Sequence, residues 1–234
     1  MIANRALWQN RQHAGQELAQ HLSSWRSRPN AVVVGLPRGG VVVAAELASA
    51  LNLPLISWAV RKLSHPTSPE LAIGAIAPGG VLIWDEPYLR QWQLDPQLRR
   101  RLVLEADTEL ERRQRLYGDP PISQLRGCDL LVVDDGVATG MTVMAALQSL
   151  RQGKPNTLVL AIPVIDRKVA ARLRSQVDDL VALAEVDDLW AVGAWYGRFE
   201  SVADDEVQAL IASHSWDRAN SEATAPQRGT ADHL

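Results

Sequence analysis

Two patterns of apolar residues alternate along the chain. Ala31-Val32-Val33-Val34-Gly35-Leu36 is a continuous apolar run, of the kind that suits a strand covered on both faces. Further strands are predicted at 55–60, at Leu130-Leu131-Val132-Val133, at 157–164 and at 180–184. Ala14, Leu18, Leu22 and Trp25 recur instead at helical spacing, with Arg11, Gln12 and Gln16 between them, which predicts an amphipathic helix over 5–25. Further helices are predicted over 41–51, 95–117, 142–151 and 166–176, and one starts with acidic residues at Ala203. Pro37-Arg38-Gly39-Gly40 and Pro78-Gly79-Gly80 read as turns, 64–69 and 118–127 as loops, and 71–76 and 81–83 as short apolar segments. Strands alternating with helices predict an α/β fold with a mainly parallel sheet flanked by helices.

Composition narrows this picture. The 234 residues are 47% apolar and 22% charged, which suits one ordinary domain with a full core. After Trp216 bulky apolar residues become scarce, so a domain over 1–216 and a disordered tail over 217–234 are expected. A net charge of −3 excludes a global basic field. Arg99-Arg100-Arg101 and the stretch 109–115 interleave with Glu105, Asp107, Glu109 and Glu111, so they read as a salt-bridged solvent face, and a nucleic-acid partner is not expected. Cys128 is the one cysteine, which excludes disulfide scaffolds and cysteine zinc sites within one chain; it reads as a small apolar filler. No apolar window reaches membrane-spanning length, and the first residues lack the apolar core of a signal peptide. A soluble, cytoplasmic protein without a membrane partner is expected.

The chemistry concentrates in 130–142. An apolar strand ends in Asp134 and Asp135, and a loop of small residues then opens into a helix. Ligands of open α/β sheets bind at the carboxyl ends of strands. A helix N-terminus offers free N–H groups to an anion, Gly136 and Gly140 permit close backbone approach, and Thr139 and Thr142 add hydroxyl donors. The adjacent carboxylates would repel a phosphate and suit ribose hydroxyls or a divalent cation beside it. Phosphate, sugar and metal together describe a phosphorylated sugar. Walker A and G-x-G-x-x-G patterns are absent.

The stretch VVDDGVATGMT closely resembles the 5-phosphoribosyl 1-pyrophosphate (PRPP) binding motif of type I phosphoribosyltransferases. With VVVGLPRGGVVVAAELA, VRKLSHPTSPELAIGAIAPGG and WYGRFESVADDEV it is similar to successive blocks of a family of stand-alone phosphoribosyltransferases without an assigned acceptor, over roughly residues 7–212. The resemblance implies a type I phosphoribosyltransferase-like α/β fold with a small hood and flap. It implies that Asp134 and Asp135 hold the ribose hydroxyls and, through them or through water, Mg²⁺. It also implies that Gly136, Val137, Ala138, Thr139, Gly140, Met141 and Thr142 cradle the 5′-phosphate. Arg38 and the Gly39 N–H would form the pyrophosphate loop, where the fold often carries a strained or cis peptide. Neighbours on a strand point to opposite faces, so one of Arg61 and Lys62 would assist, and Lys62 is favoured. The stretch 64–70 would be a flap, with His65 or Glu70 touching the leaving group or base. Tyr196 and Phe199 would lie in the hood, where an aromatic can stack on the acceptor.

The function implied is Mg²⁺-dependent transfer of phosphoribosyl from PRPP to a nitrogenous base, with release of pyrophosphate. The alternative is the same fold used as a PRPP- or nucleotide-binding sensor without turnover. Fold-level analogy favours a homodimer.

Overall fold

A computed structural model describes residues 6–214 and 216, without the side chains of residues 69, 70 and 92. The expected tail at 217–234 lies outside the described residues.

Five strands form a wholly parallel sheet: β1 (Ala31–Gly35), β2 (Leu55–Ser57), β6 (Asp129–Val133), β7 (Thr157–Asp166) and β8 (Asp179–Val186). Their order is β2-β1-β6-β7-β8. Alternate residues of each central strand enter different cores, as the period of two requires. Val32, Val34, Leu130, Val132, Leu158 and Leu160 face α5 (Met141–Gln152) and α6 (Arg167–Leu173). Ala31, Val33, Leu131, Val133, Val159 and Ala161 join the cluster built with α1 (Arg11–His21), α2 (Gly39–Leu51) and α7 (Asp204–Ala212). Cys128 is buried in the first of these cores, a filler as expected.

A second, antiparallel sheet holds β3 (Arg61–His65), β4 (Ser68–Ala77) and β5 (Val81–Trp84). Ala72, Ala75 and Ala77 of β4 join the core beside α5, while Ile73 and Ile76 pack with Leu89 of α3 (Glu86–Trp92) and with Ala106 and Leu110 of α4 (Pro96–Tyr117). The α4 boundaries follow from local chemistry. The Asp95 side chain accepts from Gln97 N, Pro96 opens the helix, and Gly118 ends it in the left-handed conformation.

Three expectations change. The predicted first helix begins only at Arg11, capped by Asn10. The described residues before it are not helical, with Trp8 bridged to Tyr196 and with Gly197 N and Arg198 N donating to Trp8 O and Gln9 O. The stretch 64–69, expected as a loop, is the tip of the β3–β4 hairpin, because the ladder continues to the His65–Ser68 pair. Helix α3 was hidden by its shortness and its exposed polar positions.

The loop after α4 is tied back to the main sheet. Both Ser57 Oγ and Ala59 N donate to the Asp119 carboxylate, the latter at 2.6 Å. Burial nevertheless outweighs these bonds and pushes the Asp119 pKa from 3.8 up to about 6. The folded state therefore binds the extra proton between about pH 4 and pH 6, and the stability contributed at this site falls as pH rises through that window. Urea melts of wild type and Asp119→Asn should differ in a pH-dependent way. Relative to the variant, wild type should lose on the order of 2 kcal/mol between pH 4 and pH 7. A difference that stays constant with pH would contradict this account.

Candidate functional site

The order β2-β1-β6-β7-β8 reverses between β1 and β6. Chains leaving those two strands diverge, and the crevice between them is where open α/β sheets take ligands. The loop after β1 is Leu36-Pro37-Arg38, with a cis Pro37–Arg38 peptide, and it opens into α2. The loop after β6 runs from Asp134 to Gly140 and opens into α5. The two loops touch. A Cβ on Gly39 would stand 1.9 Å from Asp135 Oδ2, and one on Gly40 would stand 2.8 Å from Asp134 Cα. Only glycine permits this approach. Neither α2 nor α5 has a side-chain cap, so both helix N-termini present N–H groups at this crevice.

The loop over 136–142 is held from behind. Val137 N donates to Val164 O at 2.9 Å, and Asp166 N donates to Val137 O at 3.0 Å. The Asp166 carboxylate accepts from Lys168 N, Val169 N and Leu189 N; these bonds outweigh burial and hold its pKa below the usual range. Arg172 Nη2 donates to Thr139 O at 2.6 Å. A Cβ on Gly136 would meet Val192 Cγ1 at 2.4 Å. The side chains of Val137 and Met141 belong to the core, so these two residues offer the crevice only backbone; Thr139 is exposed, and Ala138 and Thr142 are partly exposed.

The acid pair is enclosed. Asp135 N donates to Asp134 Oδ1 at 2.9 Å. Burial, then the charge of Asp135, raises the Asp134 pKa well above the ordinary carboxylate range. Burial raises Asp135 as well, and Arg11 opposes it. Arg11 Nε donates to Asp135 Oδ2 at 2.7 Å, with the two side chains only 11% and 15% exposed. Tyr196 OH donates to Asp135 O at 2.6 Å; burial, then the Asp135 charge, keeps this phenol protonated.

Arg38 turns toward a cationic rim. Its Nη1 lies 3.7 Å from Asp204 Oδ1, and Asp204 also accepts from Arg112 and from Tyr117 OH. Glu109 accepts from Arg112 Nε at 2.7 Å and Arg113 Nε at 2.8 Å, and these partners hold its pKa at about 2. Arg61 faces the same group. Burial first, then Arg113, Arg112 and Arg38, lower its pKa against the pull of Glu109. Among the described residues no carboxylate lies within ion-pair distance of Arg61. Four arginines thus surround two carboxylates. The expected solvent face on α4 holds for Arg101–Glu105 and Arg115–Glu111, whereas Arg112 and Arg113 turn toward the site.

Other expected residues are placed differently. Lys62 pairs with Ala75 and lines, with Arg61 and Glu105, a recess of about 190 Å³ between β3 and α4. His65 Nδ1 accepts from Thr67 N, and its ring meets Tyr88 edge-on at 6.1 Å, so it serves the hairpin tip. The side chain of Glu70 lies outside the described residues. Tyr196 stacks on Phe199 at 5.0 Å, and Arg11 Cζ lies 3.7 Å from the Phe199 ring centre, so both rings build the wall behind Asp135. Trp190 is 92% exposed, between Leu189, which binds Asp166, and Val192, which packs on Gly136.

Sequence reading missed Arg11, Arg112, Arg113 and Asp204, and it weighed Arg61 only behind Lys62. Arg11 occupies a polar position of an amphipathic helix, where local pattern assigns it to solvent. No local signal marks Arg112, Arg113 and Asp204, which meet only through α4 and α7.

Comparison with known proteins places this geometry. The profile of the phosphoribosyl transferase domain matches residues 8–195. A Mycobacterium tuberculosis protein, provisionally named a phosphoribosyl transferase in strains CDC 1551 and H37Rv, is 38% identical over 209 residues. The match covers 88% of this chain and 46% of that protein, so the chain spans about half the length of the curated relatives it matches. The crystal structure of TT1426 from Thermus thermophilus is 37% identical, superposes with a TM-score of 0.68, and is covered over 99% of its length by 89% of this chain. The chain therefore belongs to the phosphoribosyl transferase domain family.

Proposed function

We propose that the crevice binds PRPP and catalyses Mg²⁺-dependent transfer of its phosphoribosyl group to a nitrogenous base, releasing pyrophosphate. The observation that carries this reading is the contact of Gly39 and Gly40 with Asp135 and Asp134 between two uncapped helix N-termini. One helix start then takes the 5′-phosphate on 136–142, and the carboxylates take the ribose hydroxyls. The other helix start, with Arg38, takes the pyrophosphate. Arg61 joins Arg38 in this role, because its half-buried charge lacks a carboxylate within ion-pair distance among the described residues; Lys62 lines the same recess between β3 and α4.

The donor set suits a metal carried by the substrate. Among the described residues no group of three or more His, Cys, Asp or Glu forms a cage, so the chain's share would be Asp134 and Asp135, acting through ribose hydroxyls or water. Bound Mg²⁺ would supply charge neutralisation on the leaving pyrophosphate. As the C1–O bond breaks, its electron pair leaves with pyrophosphate and positive charge develops on the ribose ring. Asp134 and Asp135 stabilise that charge, Arg38 and Arg61 hold the leaving group, and the acceptor nitrogen attacks the opposite face. No residue needs to act as a nucleophile. Trp190 offers the acceptor a flat apolar surface beside the phosphate loop, which Tyr196 and Phe199 do not.

Calorimetric titration with PRPP, with and without Mg²⁺, should give Mg²⁺-dependent binding, and pyrophosphate release should follow with a suitable base. Asp135→Asn should weaken PRPP binding by about tenfold or more; unchanged affinity would remove Asp135 from the donor site. Arg61→Gln should weaken pyrophosphate binding about tenfold without lowering the melting temperature. A destabilised variant with normal pyrophosphate affinity would make Arg61 structural. Trp190→Ala should raise the KM for the base severalfold and leave PRPP affinity unchanged. Equal effects on both substrates would place the indole elsewhere.

A further inference from the structure

The residue that most closely constrains the acid pair is Arg11, at the first position of α1. Its guanidinium is held in three directions. Nε donates to Asp135 Oδ2 at 2.7 Å, Nη1 donates to Glu200 O at 2.9 Å, and Cζ lies 3.7 Å from the Phe199 ring centre. Asp135 is correspondingly fixed at both ends, its carboxylate by Arg11 and its backbone carbonyl by Tyr196 OH. Helix α1 is itself anchored, by the Asn10 cap and by the pairing of Trp8 and Gln9 with Tyr196, Gly197 and Arg198. A surface ion pair would need none of this. A guanidinium carries five donors in a rigid fork, so a side chain held on an aromatic face and a carbonyl delivers its Nε–H along one fixed direction.

We infer that Arg11 is a positioning residue of the donor site, holding the Asp135 carboxylate in the one orientation that receives the ribose of PRPP. This rests on the proposed donor role of Asp135. Arg11 reaches the ribose through Asp135: its Nε is bound to that carboxylate and Nη1 to a backbone carbonyl, and the same Nε lies beside Gly39, where a Cβ would stand 2.8 Å from it. Its loss should therefore be felt mainly at the ribose and far less in the pyrophosphate half of the crevice, where Arg11 borders Gly39 but Arg38 and Arg61 keep their places.

The test is a double-mutant cycle read by calorimetry, with Mg²⁺–PRPP and with Mg²⁺–pyrophosphate as separate probes. Arg11→Met keeps the stem over Phe199 and removes the charge. It should weaken PRPP binding about tenfold or more and leave pyrophosphate binding within about twofold. Arg11→Met combined with Asp135→Asn should bind PRPP no more weakly than Asp135→Asn alone, because both changes break the same contact. Arg11→Lys should recover part of the loss, and it also carries the test if the methionine variant does not fold. Additive losses in the double variant, or equal loss of PRPP and pyrophosphate, would make Arg11 a general packing element and overturn the inference. Unchanged PRPP affinity in both Arg11 variants would overturn it as well. Folded wild type that binds no PRPP would instead overturn the functional reading, and this inference with it.

Discussion

The close approach of two backbone segments organises this molecule. Gly39 and Gly40 lie against Asp135 and Asp134 with no room for a methyl group. That contact requires β1 and β6 to be hydrogen-bonded neighbours in register, from Ala31–Asp129 to Gly35–Val133. The register in turn depends on both faces of these strands being covered, since alternate residues fill two separate cores. Shifting either strand by one residue would turn every core side chain to the wrong face and separate the two loops. Core packing and site geometry are therefore one constraint.

Charge is managed around that contact by geometry more than by distance from water. Two adjacent carboxylates at one strand end repel each other and lose hydration, which favours protonation. The start of α2 and Arg11 oppose this from two sides. Breaking a buried pair by removing one partner costs about 3–5 kcal/mol, because the other charge is stranded. The rim around Arg38 shows the opposite imbalance. Arg38, Arg112 and Arg113 share Glu109 and Asp204, and Arg61 adds a fourth charge nearby, leaving a local positive surplus where a polyanion would be bound. A net charge of −3 for the whole chain conceals both features.

The elements that close the site come from distant parts of the chain. Residues 7–9 and 195–198 pair with each other, α1 delivers Arg11, and the segment after β8 brings Val192 against Gly136. The antiparallel sheet contributes Arg61 from an edge strand supported by α4. The hood expected from family resemblance is therefore assembled from both ends of the described chain. Its aromatic residues Trp8, Tyr196 and Phe199 serve as its packing.

The sequence by itself determined the parallel sheet, the α4 boundaries and the acid–glycine–threonine loop, because each is encoded within a few neighbouring residues. Five apolar runs mark the five strands, of which the edge strand β8 is only partly covered, Asp95-Pro96 and Gly118 mark helix ends, and 134–142 is chemically distinctive as a unit. Tertiary structure alone decided which charges meet. Arg11 and Asp135 are 124 residues apart, and Arg112 and Asp204 are 92 apart. On a local pattern Arg11 is a solvent-facing helix residue and Arg112 part of a surface ion-pair run. The hairpin in place of a plain loop at 64–69 was likewise decided by strand pairing. Periodicity reports which face of an element is buried. It carries no information on which distant side chain will share that burial, and in this protein the donor site depends on such pairs.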